Sequence, residues 1–195
     1  IHGRDGEHFW THNVHDEVFQ VAAADLDADG AADAVFAYEG GVKALTGRTA
    51  EQIALTEYPR KGRVQVALSD LDGDGVADWV ANYSEAECHT RAGSGKGGSM
   101  LWMRQTGESA LSLPAFGDLD GDGRTDCVFT LEGEGLVLAV AGATGSEIRR
   151  WNVPQVGCWR PSLADADGDG ALDVLVASAG GPGWVAALAG KGDRE

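Results

Sequence analysis

What is scarce in this 195-residue chain closes off several classes of protein. Cysteine occurs three times, so at least one is unpaired within the chain and a fully paired disulfide framework is excluded. Apolar runs stay well short of the roughly 20 residues that span a bilayer. The N-terminus carries no signal-peptide pattern. The chain is therefore expected to be soluble and without a membrane span, and its start at Ile1 reads as that of a processed or excised piece. Basic residues number 15 and form no patch that could neutralise phosphates, which excludes a nucleic-acid partner. No Ser-His-Asp set, isolated carboxylate pair or reactive-cysteine setting can be read, so no catalytic residue is assigned and the chain is not expected to be an enzyme.

Aspartate and glycine, by contrast, are concentrated. The stretch DLDGDGVAD, Asp70 to Asp78, recurs as DLDADGAAD (Asp25 to Asp33), DLDGDGRTD (Asp118 to Asp126) and DADGDGALD (Asp165 to Asp173), with starts 45, 48 and 47 residues apart. The chain is a repeat protein. The net charge of -16 comes from 31 acids against 15 bases, and the four motifs hold 16 of the acids. The 15 that remain equal the bases, so the acidity belongs to the motifs and not to a solvating surface.

Four carboxylates within nine residues repel one another unless a cation is bound. Oxygen ligands without histidine or cysteine suit calcium or magnesium, and alternate spacing lets a curled loop aim positions 1, 3, 5 and 9 inward while position 7 adds its backbone carbonyl. The expected ligands are Asp25, Asp27, Asp29, Ala31 and Asp33; Asp70, Asp72, Asp74, Val76 and Asp78; Asp118, Asp120, Asp122, Arg124 and Asp126; and Asp165, Asp167, Asp169, Ala171 and Asp173. A loop offering five protein oxygens favours calcium, because magnesium usually keeps several waters. Four calcium ions are expected. Loop one is the expected exception, because Ala28 stands where the others have glycine. An EF-hand would need a Glu at position 12 and flanking helices. Position 12 is instead Phe36, Ala81, Phe129 and Val176. The runs after the loops, AVFAY, WVANY, CVFTL and VLVAS, are short, apolar and rich in β-branched and aromatic residues, which predicts strands. The segments before them, VFQVAAA, RVQVALS, LSLPAFG and WRPSLA, also read as extended. Each aspartate loop thus joins the strands of a hairpin.

A Gly-rich connection then leads to GVKALTGRTAEQIALTEYP, GSMLWMRQTGESALSLP or GLVLAVAGATGSEIRRWNVP, each reading as strand, turn, strand. Four strands in about 47 residues make one propeller blade. Pro114 and Pro161 fall in the strand before the loop, which is tolerated only at a sheet edge.

The D-x-D-x-D-G-x-x-D loop between apolar strands resembles the FG-GAP or VCBS repeat, the calcium-binding blade of integrin α-subunit propellers and of many secreted or surface proteins. The resemblance implies an all-β fold, a β-propeller of four-stranded antiparallel blades. The repeats are placed at about 16–60, 61–108, 109–155 and 156–195, with 1–15 as the outer strand of a preceding or closing blade. Weaker similarity links VAGATGSEIRRW and RDGEHFW to quinoprotein-type blades, with Trp151 and Trp10 in the docking position; the adjacent cysteines of the quinone dehydrogenases are missing here. Either the N-terminal strand closes a compact four-bladed ring, or the chain is a window from a propeller of about seven or eight blades, and the window is favoured.

The expected function is that of a calcium-stabilised extracellular or cell-surface module for binding or adhesion, with a protein or glycan ligand met through the loop 84–99. The alternatives are a structural assembly subunit or the non-catalytic propeller of a secreted enzyme such as a polysaccharide lyase or quinone-type dehydrogenase. Four smaller features are noted. Asn82-Tyr83-Ser84 fits a glycosylation acceptor. Cys88 and Cys158 fall on one face and could pair. His8, His12 and His15 cluster near the N-terminus, and Lys191-Gly192-Asp193 resembles a recognition tripeptide.

Overall fold

The structure is a computed structural model that describes residues 8–58, 62–84, 88–107, 112–131, 135–154, 159–178 and 183–190. Every regular element among them is a strand, and the strands form four separate antiparallel sheets in chain order. The first sheet holds β1 (Val18–Ala24), β2 (Asp33–Tyr38), β3 (Gly41–Leu45) and β4 (Gln52–Glu57). The second holds β5 (Arg63–Ser69), β6 (Asp78–Ser84), β7 (Cys88–Gly93) and β8 (Met100–Gly107). The third holds β9 (Ala115–Gly117), β10 (Asp126–Leu131), β11 (Leu136–Ala141) and β12 (Glu147–Asn152). The fourth has three strands, β13 (Ser162–Ala164), β14 (Asp173–Ala177) and β15 (Val185–Leu188). Within each sheet neighbours in sequence are neighbours in space, and the first strands of successive sheets approach each other, β1 with β5 and β9 with β13. This is the arrangement of propeller blades around their inner strands, in agreement with the expected fold class.

The period-2 alternation of the second strand explains how the blades stack. In β6, Trp79, Ala81 and Tyr83 join Val35, Ala37 and Val42 of the first sheet, while Val80 faces the third sheet together with Phe129 and Leu138. In β10, Cys127 and Phe129 face the second sheet and Val128 faces Val174 of the fourth. A blade covered on both faces needs apolar residues at consecutive positions, and β10 is buried throughout. Apolar clusters join sheets one and two, two and three, and three and four.

Pro114 and Pro161 stand immediately before β9 and β13, and those inner strands are three residues long against seven in β1 and β5. A proline cannot donate to the ladder, so the regular strand begins only after it, although the Ser112 N–H ahead of Pro114 still donates to the Thr130 carbonyl.

The second sheet corrects two expectations. The stretch 84–99 is not a long loop: residues 88–93 form β7, paired with β6 on one side and β8 on the other. Its polar sequence CHTRAG hid it, yet Thr90 is buried and its hydroxyl donates to the Ala81 carbonyl. Consequently Met100–Gly107, within the stretch expected to hold a strand, a turn and a second strand, is a single strand, β8, the last of its sheet. Asn82 is also no glycosylation acceptor, because its side chain is buried and its Nδ2, the atom a glycan would take, donates to the Ser112 carbonyl at 2.6 Å. Cys158 and Lys191 to Asp193 lie outside the described residues.

The tryptophan at the outer edge docks blade on blade. Trp102 of β8 donates from Nε1 to the Gly142 carbonyl at 2.6 Å, and Trp10 makes the matching bond to Gly47 at 2.8 Å. Trp10 and Val14 thereby cover Phe36, Tyr38 and Leu45 on the outer face of the first sheet. Trp151 does not share this position. By the strand register it is Arg149 that stands where Trp102 stands, opposite Ala139 as Trp102 is opposite Ala92, and the Arg149 guanidinium donates to the Ala189 carbonyl.

Candidate metal centre

The four aspartate loops are built alike. In every hairpin the residue before position 1 pairs with position 9: Ala24 with Asp33, Ser69 with Asp78, Gly117 with Asp126 and Ala164 with Asp173. Between those points the carboxylates organise the backbone. Position 1 accepts the N–H of position 6 at 2.9–3.0 Å, from Gly30, Gly75, Gly123 and Gly170. Position 3 accepts the N–H of position 5, and position 5 that of position 7, which places Ala31, Val76, Arg124 and Ala171. Short side chains that bond their own backbone two residues on are what make aspartate a turn former. Position 6 holds φ between 82° and 85°, the left-handed region where glycine carries no side-chain penalty.

Position 9 has a second task. Its carboxylate accepts the N–H of position 2 at 2.7–2.9 Å, from Leu26, Leu71, Leu119 and Ala166. In three blades it also accepts the N–H of a glycine 14 or 17 residues later in the outer turn of the blade, Gly47, Gly95 or Gly190. That glycine is obligatory by contact: a Cβ on Gly95 would lie 2.0 Å from the Ala77 carbonyl oxygen. Its open face receives the position-2 leucine of the preceding blade, Leu26 against Gly95, Leu71 against Gly142 and Leu119 against Gly190. The loop is thus tied to the packing between blades through its own position 2. The outer-turn glycines are site-supporting residues that motif reading missed; superposing the repeats beyond position 9 would have exposed them.

The carboxylate oxygens converge. Within each loop three aspartates place a ligand atom within 4.8 Å of one another: Asp25, Asp27 and Asp29; Asp70, Asp72 and Asp78; Asp118, Asp120 and Asp122; Asp165, Asp167 and Asp173. The fourth expected ligand, Asp33, Asp74, Asp126 or Asp169, stands outside that group. Burial, opposed by the Leu119 N–H and reinforced by the charges of Asp120 and Asp122, pushes the Asp126 carboxyl up to about 6. Burial also raises Asp78, with Asp72 adding to it. Asp173 is held low, chiefly by the N–H groups of Gly190 and Ala166. A carboxylate whose ionised form is disfavoured by burial and by neighbouring carboxylates is one that a nearby cation would relieve.

Loop one supplies a direct test of fit. Asp25 Oδ1 is buried and has no hydrogen-bond partner among the described residues. In the other loops that oxygen accepts the position-4 N–H at 2.7–2.8 Å. A buried, charged oxygen without a donor is costly, and a bound cation satisfies it. The donors are all hard oxygens, so the residues present fit a divalent cation of the calcium type. Among the described residues the histidines do not form such a group: the His12 ring lies against Phe36, and His8 shares a hydrogen bond with Thr11.

Comparison with known proteins agrees with this architecture. Residues 118–176 match the family model of the FG-GAP-like repeat. The comparison with curated protein sequences finds no match. Among solved structures, the chain is similar to the rhamnogalacturonan lyase YesW, at 16% identity over 82% of this chain and 40% of that one, with a TM-score of 0.59. It is also similar to the V. cholerae biofilm matrix protein Bap1, at 18% identity over 75% of this chain and 23% of that one, with a TM-score of 0.50. At these identities the likeness concerns the fold. The chain spans less than half the length of either structure.

Proposed function

We propose that this chain is a calcium-braced propeller module of an extracellular protein, non-catalytic in itself, which presents a surface to a protein or glycan ligand. The observation that carries the reading is the fourfold repetition of one hydrogen-bonded carboxylate loop in which three aspartates converge. Asp25, Asp27, Asp29 and Asp33 and their counterparts in the other loops would hold one calcium ion each. Bound there, the ion supplies charge neutralisation. The residues themselves set the hairpin, and position 9 passes its order to the next blade through position 2. The match of residues 118–176 to the FG-GAP-like repeat supports calcium, and the likeness to a biofilm matrix protein supports an extracellular setting.

A ligand surface is favoured at the end opposite the aspartate loops. There the connection before β13 leaves Trp159 64% exposed beside a cleft of about 440 Å³ lined by Phe116, Arg160, Pro161 and Leu163. A large exposed aromatic beside a cleft is an ordinary feature of a binding surface. The test is a glycan array and a protein pull-down with the chain in 2 mM calcium and in chelator, alongside Trp159→Ala. Calcium-dependent capture that Trp159→Ala abolishes is the expected result. A chain that binds calcium and captures nothing under either condition would be a structural spacer instead.

A further inference from the structure

The outer turn of each blade lies beside its own aspartate loop: in the first, second and fourth blades its glycine donates to position 9, and in the third Gly142 lies against the Thr125 carbonyl, within the loop. The residue after that glycine therefore faces the candidate site. In the first blade it is Arg48, whose Nε reaches Asp29 Oδ2 at 2.7 Å and whose second guanidinium nitrogen lies 3.5 Å from the Asp29 carbonyl oxygen. In the second blade it is Lys96, with Nζ 3.9 Å from Asp74 Oδ2. In the third it is Ala143, and Asp122 meets no basic side chain among the described residues. Position 5 is thus paired closely, loosely and not at all in successive blades.

We propose that this outer-turn residue sets the cation affinity of the loop it faces, so that the loops bind in graded order, the third most tightly, the second less and the first least. The inference rests on the calcium reading above. In loop one Asp29 Oδ1 accepts the Ala31 N–H and Oδ2 holds the guanidinium, so a cation must share or displace Arg48 to use that carboxylate. The guanidinium also removes one of the negative charges that attract the ion. Because the Arg48 side chain is 63% exposed, water and salt screen the effect. Pairs of this kind amount to roughly 0.2–1 kcal/mol, which is up to about fivefold in affinity. Ala28 also sets loop one apart, since it leaves Asp25 Oδ1 without a donor among the described residues, and single substitutions at the outer turn separate the two causes.

The test is a calcium titration of the isotope-labelled chain followed at the position-6 glycine amides, whose N–H groups bond the position-1 carboxylates and so report each loop by itself. Midpoints are expected to rise from Gly123 to Gly75 to Gly30. Arg48→Ala lowers the Gly30 midpoint about threefold and leaves Gly123 unmoved, Ala143→Arg raises the Gly123 midpoint by a similar factor, and Arg48→Lys falls between Arg48→Ala and the native value. Glycine amides that shift with calcium while Arg48→Ala leaves the Gly30 midpoint unchanged would overturn the inference alone. Amides that ignore 10 mM calcium would remove the calcium reading and the inference with it.

Discussion

Loop one and loop two share a motif, a register and a fold, and they differ at position 7, Ala31 against Val76, and at position 4. Gly73 donates to Asp70 Oδ1 at 2.8 Å with φ of 80°. Ala28 takes a φ of 60°, and Asp25 Oδ1 is left buried without a donor among the described residues. One methyl group separates a loop whose position-1 carboxylate is satisfied by its own backbone from one that must look elsewhere. The comparison teaches that the loops have two layers: a hydrogen-bond frame made by the protein's own groups and anchored at position 9, and a cluster of carboxylates that a cation would neutralise.

Removing the ions from all four loops should have the largest effect. At a dissociation constant of about 0.1 mM, calcium at about 1 mM stabilises each site by roughly 1.4 kcal/mol. Four sites give about 6 kcal/mol, or well over ten degrees of melting temperature for a domain of this size. Calorimetry in calcium and in excess chelator measures it, and coincident melting curves would show that the ions do not brace the fold.

Asp78→Ala should come next, because it attacks the frame. Asp78 is fully buried and satisfies the N–H groups of Leu71 and Gly95. Its loss is expected to cost about 3 kcal/mol, much of it persisting in chelator. If denaturant unfolding in chelator shows no loss, position 9 acts only through the ion.

Asp74→Ala, in the same loop, tests the other layer. Asp74 is exposed and lies outside the converging group of loop two. A loss of up to about 1.4 kcal/mol in calcium is expected, shrinking in chelator to the part owed to the Val76 N–H that Asp74 accepts. An equal loss under both conditions would erase the distinction between layers.

The smallest change should be a gain. Ala28→Gly relieves a left-handed alanine and lets position 4 bond as in the other loops, for about 0.5–1 kcal/mol in chelator. Gly73→Ala should lose a similar amount. Opposite signs in the paired melts would uphold the comparison, and two losses would refute it.

The motif spacing, the charge balance and the alternation of AVFAY, WVANY and CVFTL were enough to read hairpins closed by aspartate loops and stacked as blades. These are local signals, since each depends on residues within one turn or strand. Strand β7 was not legible, because CHTRAG owes its place to neighbours on both sides and not to its own propensity. The buried Asn82 was equally out of reach: only the approach of Ser112, 30 residues away, turns a glycosylation pattern into a core hydrogen bond. Sequence by itself determined the repeat, the strands around each loop and the oxygen-only donor set, all governed by spacing and side-chain chemistry. Tertiary structure alone decided that position 9 grips the outer turn, that Leu26, Leu71 and Leu119 seat on the next blade's glycine, and that Arg48 and Lys96 face the aspartates. Those contacts join segments separated by 14 residues or more, and a chain's local pattern does not record which distant surface will fold against it.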